Sequence, residues 1–185
     1  DAGHGGADIG ARGPGSAGLA MFESGLNLEI ANHVINKLQS LGANVVATRT
    51  IDTTVDIYDR LDMISDVGPD LLISIHHNSV GDSVNASKAR GVLGLYSNNS
   101  GIMLADCVSS SVANNLNRYK RKTSYQMLAM ARDHRFPSTL TEMSFISNAE
   151  EFQWTLSEGN FERSADAVVQ GILDFYNKQQ AYLNY

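Results

Sequence analysis

An α/β fold, with a largely parallel sheet covered by helices on both faces, follows from three features of the sequence. Segments with apolar residues at helical spacing alternate with short, β-branched runs along the chain. One run, DLLISI at residues 70–75, is almost continuously apolar, as a central strand buried on both faces must be. The connections between such runs are long enough to carry helices, which parallel neighbours require.

Taken in order, residues 25–41 carry Leu26, Ile30, Ala31, Val34, Leu38 and Leu41 at helical spacing, with Ser24 as a cap and Gly42 as a stop. Residues 43–48 are short and β-branched and predict a strand. Residues 55–67 predict a second helix through Ile57, Leu61 and Ile64, ended by Gly68 and Pro69. The central strand follows and exits at His76. After a polar loop over residues 81–88, residues 91–96 predict another strand, and residues 102–116 a helix rich in Ala, Val and Leu. Pro137 closes a stretch without clear pattern, and residues 138–141 form a short strand ending at Glu142. The last helix, residues 161–179, places Ala165, Val168, Val169, Ile172, Leu173 and Tyr176 on one face. A strand should also lead into His4, yet only Asp1, Ala2 and Gly3 precede it, so a truncated first strand is expected.

The 185 residues, 43% hydrophobic and 18% charged, fit one domain spanning residues 1–185 with a substantial core. A net charge of −6, with basic residues scattered apart from the run at 118–122, argues against a nucleic-acid-binding face. That run reads as a solvated loop or helix end. No apolar segment approaches the ~20 residues that span a bilayer. The single Cys107 lies in an apolar stretch and reads as a buried helical thiol.

Four residues carry the chemistry. His4, Glu23, His76 and Glu142 each fall at the end of a strand or the start of a helix, the edge where open α/β sheets bind ligands. Taken singly they are ordinary: a loop histidine, a helix N-terminal charge, a capping glutamate. Together, two imidazoles and a carboxylate make a three-ligand set that catalytic zinc uses, leaving a fourth position for water or substrate. His77 rivals His76, but successive strand residues point to opposite faces, and His76 is the expected ligand. Glu142 is left as the general base. Gly5 and Gly6 leave room at the site. His33 reads as solvated.

At these residues the chain resembles the zinc-dependent N-acetylmuramoyl-L-alanine amidases of bacterial autolysins, cell-division amidases and phage endolysins. DAGHGGADIGARG is similar to the family's opening segment, with Ala2 in place of the usual proline, and FESGLNLEIA to its glutamate and following helix. VVATRTID, DLLISIHHN, ARGVLGLYS and PSTLTEMSFISNAEE resemble later segments in the same order. The resemblance implies a zinc-exopeptidase-like fold with a mixed, mostly parallel twisted sheet flanked by helices on both faces, one Zn2+ per chain held by His4, Glu23 and His76, and Glu142 as catalytic residue. It puts His77 where the family usually has a small residue. Arg49, Arg60 and Asp52 match family positions and are expected as structural ion pairs.

The implied reaction is hydrolysis of the amide between N-acetylmuramic acid and the L-alanine of the stem peptide in peptidoglycan. The implied place is outside the membrane, in the wall or periplasm of a bacterium or as a phage product, with wall-anchoring domains outside this chain. The short stretch from His76 to Arg90 lacks the inserted blocking helix of some division amidases, so an open site is expected. Asn78, Ser144 and His134 are the expected substrate-binding residues. Rival readings are a zinc carboxypeptidase or other peptide amidase, and a non-catalytic wall-binding domain.

Overall fold

A computed structural model describes residues 1–15 and 22–183. Helix α1 (Glu23–Ser40) and helix α2 (Ile57–Val67) precede strand β1 (Leu72–Asn78). Strand β2 (Leu93–Tyr96), helix α3 (Ile102–Asn115), the short strand β3 (Ser124–Tyr125) and strand β4 (Ser138–Phe145) follow. Helices α4 (Ala149–Thr155) and α5 (Asn160–Leu183) end the chain's described part. One helix start differs from expectation in its cap. Phe22, not Ser24, stands at the N-cap of α1, whereas the Asp56 carboxylate caps α2 by accepting from the Tyr58 N–H.

The sheet is mixed, in the order β1-β4-β2-β3, with β1 parallel to β4, β2 parallel to β3, and β2 antiparallel to β4. The register sets His76 beside Glu142, and a bulge between His76 and Asn78 follows at once. Bulges re-aim side chains at strand ends, and this one lies where the chemistry is expected. On the inner strand β4 the fully buried Thr139 hydroxyl donates to the Leu95 carbonyl, while Thr141 Oγ1 is buried without a partner.

One face of the sheet presents Ile73, Ile75 and Met143 to α1, α3 and α5, whose Ile30, Val108, Val112 and Phe175 complete the main core. The other face presents Leu72 to Ile64 of α2, with Met130 and Phe136. Helices therefore cover both faces, as the sequence predicts. Cys107 is buried in α3. No helix of the described residues is long and apolar enough to cross a membrane.

One expected element is corrected. Residues 43–48 form no strand: they have no ladder partner, and a cavity of about 570 Å³ lined by Val34, Leu38, Val45, Ile64 and Ile73 separates them from β1. Without a neighbour to take their N–H and C=O groups, β-branched residues alone do not make a strand. The lead-in to His4 is a single parallel bridge, Ala2 to Ile75, flanked by backbone bonds from Gly3 N–H to the Ile75 carbonyl and from Ile75 N–H to the Asp1 carbonyl. The basic run at 118–122 is a half-buried to exposed loop at the end of α3, as expected, and it is anchored: Lys120 forms a bridge with Val92 beside β2, and Arg118 pairs with the buried Glu151.

Candidate metal centre

His4 sits just past the Ala2–Ile75 bridge with φ of 61°, a left-handed conformation that non-glycine residues adopt rarely. The surroundings impose it. Buried Arg60 donates through Nη2 to the His4 carbonyl at 2.7 Å, and buried Arg49 donates to the Gly3 carbonyl at 2.9 Å and the Ser24 carbonyl at 2.8 Å. The Asp52 carboxylate accepts from the Gly6 N–H at 2.8 Å. Of the expected structural ion pairs, Arg60 makes one, with Asp1; Arg49 and Asp52 instead hold backbone groups of the loop. Together they tie the His4 loop to the start of α1.

Glu23 opens α1 and is only 4% exposed. Its Oε2 accepts from the Ala11 N–H at 2.9 Å. Its Oε1 lies 2.8 Å from Nδ1 of His76 and 3.2 Å from Nε2 of His4, the two rings standing 4.9 Å apart at 74°. On its far side His4 meets the Asp8 carboxylate, Nδ1 to Oδ2 at 2.8 Å. The His77 ring turns away to Asn27 of α1, and of the adjacent pair it is His76 whose ring meets His4 and Glu23.

Two glycines make the room. A Cβ on Gly3 would lie 2.1 Å from His76 Nε2, and one on Gly10, at φ of 63°, 2.7 Å from both Glu23 Oε2 and His4 Cδ2.

Burial opposes charge throughout this cluster, and the partners decide the outcome. For Glu23, burial works upward, yet hydrogen bonds and charge from His4 and His76 hold the carboxyl far below its ordinary value. For His4, burial works downward, but Glu23 and Asp8 prevail and raise it to about 9. His76, more deeply buried, is lowered despite Glu23. Glu142 lies on the strand beside His76, and burial, then the Glu23 charge, pushes its carboxyl up to about 8. Its Oε2 is buried without a hydrogen-bond partner.

Ligand atoms of His4, Glu23 and His76 all lie within 4.8 Å of one another, and among the described residues these three form the group that could hold a metal. The donor set fits zinc: two imidazoles and one carboxylate, already deprotonated in the case of Glu23, around a space kept clear by glycine. The Asp8 carboxylate behind His4 holds the imidazole from the side away from Glu23, where the outer partner of a metal-binding histidine would stand. Asp8, Asn27 and the loop-holding role of Arg49 lie beyond what the sequence reading identifies. For Asp8 the one signal is an aspartate placed shortly after His-Gly-Gly.

The expected substrate contacts separate. Asn78, half-exposed at the end of β1, stands at the site's edge. Ser144 is fully buried, its hydroxyl 2.8 Å from that of Thr155 in α4, and so faces the interior rather than the site. His134 is exposed in the turn before β4. Because β4 runs from Ser138 toward Glu142, that turn is at the opposite sheet edge, a strand span of about 13 Å at ~3.3 Å per residue.

Fold and cluster together define the class: an α/β protein with a His₂Glu metal-binding constellation and a buried carboxyl at one sheet edge. Residues 1–174 match the family model described as N-acetylmuramoyl-L-alanine amidase, and the chain belongs to that family. It is 33% identical over 178 residues to the uncharacterized Bacillus subtilis protein YqiI, covering 96% of this chain and 84% of that one. It is 28% identical over 176 residues to the N-acetylmuramoyl-L-alanine amidase LytC of Bacillus subtilis, covering 95% of this chain but only 34% of LytC. The crystal structure of an N-acetylmuramoyl-L-alanine amidase from Clostridium difficile 630 superposes with a TM-score of 0.86 at 29% identity, covering 95% of this chain and 94% of that one.

Proposed function

We propose that the protein is a zinc-dependent N-acetylmuramoyl-L-alanine amidase that hydrolyses the amide between the lactyl group of N-acetylmuramic acid and L-alanine in peptidoglycan. The observation that carries this reading is the Glu142 carboxyl, buried and shifted upward, on the strand beside a His₂Glu cluster. The bond assignment rests on family membership. His4, Glu23 and His76 are the zinc ligands in this reading. Zinc bound there supplies Lewis acidity, polarising a carbonyl oxygen and lowering the pKa of a water to about 7.

Glu142 moves the proton. A carboxyl shifted toward neutrality is matched to both halves of the task, taking a proton from the attacking water and giving it up again. The water oxygen bonds to the carbonyl carbon while its proton goes to Glu142. The C–N bond then breaks, and the same proton passes from Glu142 to the departing alanine nitrogen. Asp8 keeps the His4 ring in place, and Arg49 and Arg60 keep its loop against α1. Asn78 is positioned to meet the substrate at the rim. Since peptidoglycan lies outside the membrane, the enzyme acts in the wall or periplasm, alongside any wall-anchoring domains.

The test is Glu142→Gln on defined peptidoglycan, with products read by mass. Zinc content should be unchanged and turnover should fall by about 10²–10⁴-fold, the usual worth of a general base. His4→Ala should lose zinc. The wild type should expose new N-terminal alanine; release of a C-terminal residue instead would identify a carboxypeptidase, and full activity in the Gln variant would remove Glu142 from the mechanism.

A further inference from the structure

Behind the cluster lies a second, fully buried polar layer that the reaction does not use. Asn27, one helical turn after Glu23 on α1, is completely buried, and His77 is 2% exposed. The Asn27 amide nitrogen donates to the Gly3 carbonyl at 3.1 Å and to Glu23 Oε1 at 3.4 Å. Its Oδ1 lies 2.8 Å from Nδ1 of His77. The His77 backbone N–H, in turn, donates to Glu23 Oε1 at 3.2 Å.

The donor inventory settles the direction of these bonds. Both the Gly3 carbonyl and the Glu23 carboxylate only accept, so the Asn27 amide must face them with its NH₂ group. Its oxygen is then left for His77, which must donate from Nδ1. The His77 ring is therefore the neutral Nδ1–H tautomer, its buried Nε2 a lone-pair acceptor with no partner. The chain His77 Nδ1–H to Asn27 Oδ1, Asn27 Nδ2–H to Glu23 Oε1, joins β1 to α1 through the carboxylate. Asn27 unheld could rotate its amide and present oxygen to Glu23, which two acceptors would not tolerate.

We infer that His77 and Asn27 are positioning residues for the metal centre: His77 locks the Asn27 amide, and Asn27 orients the Glu23 carboxylate and the Gly3 backbone beside His4. The inference rests on the reading of Glu23 as a zinc ligand. It gives a physical role to the second histidine of the His76–His77 pair, which touches no reacting atom. Outer partners of this kind are worth about 10–100-fold in metal affinity.

The experiment measures zinc affinity by chelator competition in the folded protein, together with the His77 tautomer by long-range ¹⁵N–¹H correlation spectra. His77→Phe keeps an aromatic ring and removes the Nδ1 donor; Asn27→Leu keeps the branched shape and removes the amide. Each should weaken zinc binding by about 10-fold or more. His77→Asn, whose amide nitrogen lies where the Nδ1 donor stood, should recover part of the loss, a rescue that simple packing would not predict. In the wild type, His77 should show a protonated Nδ1 and a bare Nε2. An Nε2–H tautomer, or wild-type zinc affinity in both His77→Phe and Asn27→Leu, would overturn the inference. Failure of the wild type itself to bind zinc would instead overturn the ligand assignment beneath it. Should a variant not fold, the tautomer in the wild type still decides.

Discussion

The site is built from residues held in conformations they would not choose alone. His4 adopts a left-handed backbone, and Gly10 another, with no room for a side chain between Glu23 and His4. Gly10→Ala therefore meets two penalties, about 1–2 kcal/mol for the left-handed backbone and a contact at the ligand carboxylate. Zinc affinity and thermal stability should both fall. A variant with wild-type values of both would show that the loop yields freely. His4, Glu23 and His76 are legible in the sequence because their residue types at strand and helix ends are informative. Asp8 and Asn27 are less so, since a loop aspartate and a helical asparagine have many ordinary uses. Ser144 misleads because its nearness to Glu142 along the chain says nothing of the Thr155 hydroxyl that takes its own.

Among the elements, the long helices are legible nearly to their ends, because an apolar stripe sustained at helical spacing over several turns fits no strand. The seven residues of α4 and the two of β3 are too short to show a period. Residues 43–48 show the converse: β-propensity without a partner strand. Two substitutions test how the elements are held. Asp56→Ala removes the side-chain cap of α2 and should cost about 1 kcal/mol in urea unfolding; no change would mean that water replaces the cap. Gly171→Ala should stabilise an exposed helix by up to about 1 kcal/mol. Here the added Cβ would lie 2.5 Å from Val108 Cα, where α5 crosses α3. The backbones must part, so net destabilisation of about 1–3 kcal/mol is expected instead. A stabilised Gly171→Ala protein would show that the crossing is looser than this contact implies.

At the scale of the whole molecule, the candidate centre joins the loop after Ala2, the start of α1 and the end of β1, segments far apart in sequence. A ligand that binds only where these meet stabilises the native state by mass action, by about 2.7 kcal/mol at a hundredfold excess over Kd. Zinc should therefore raise the melting temperature of chelator-treated protein, and a chelator should lower that of the zinc form. No shift in either direction would argue against a zinc site spanning these segments. The sequence by itself determined the α/β class, the helices, the residue types of the candidate centre and that His76 rather than His77 faces it. These depend on local periodicity, strand alternation and the chemistry of donors. Only the tertiary structure decided that His134 stands at the far edge, that Ser144 faces inward, that residues 43–48 go unpaired, and that Asp8, Asn27 and Arg49 converge on the ligands. Each of those facts is a meeting of segments distant along the chain, and local pattern carries no information about which buried group will satisfy which.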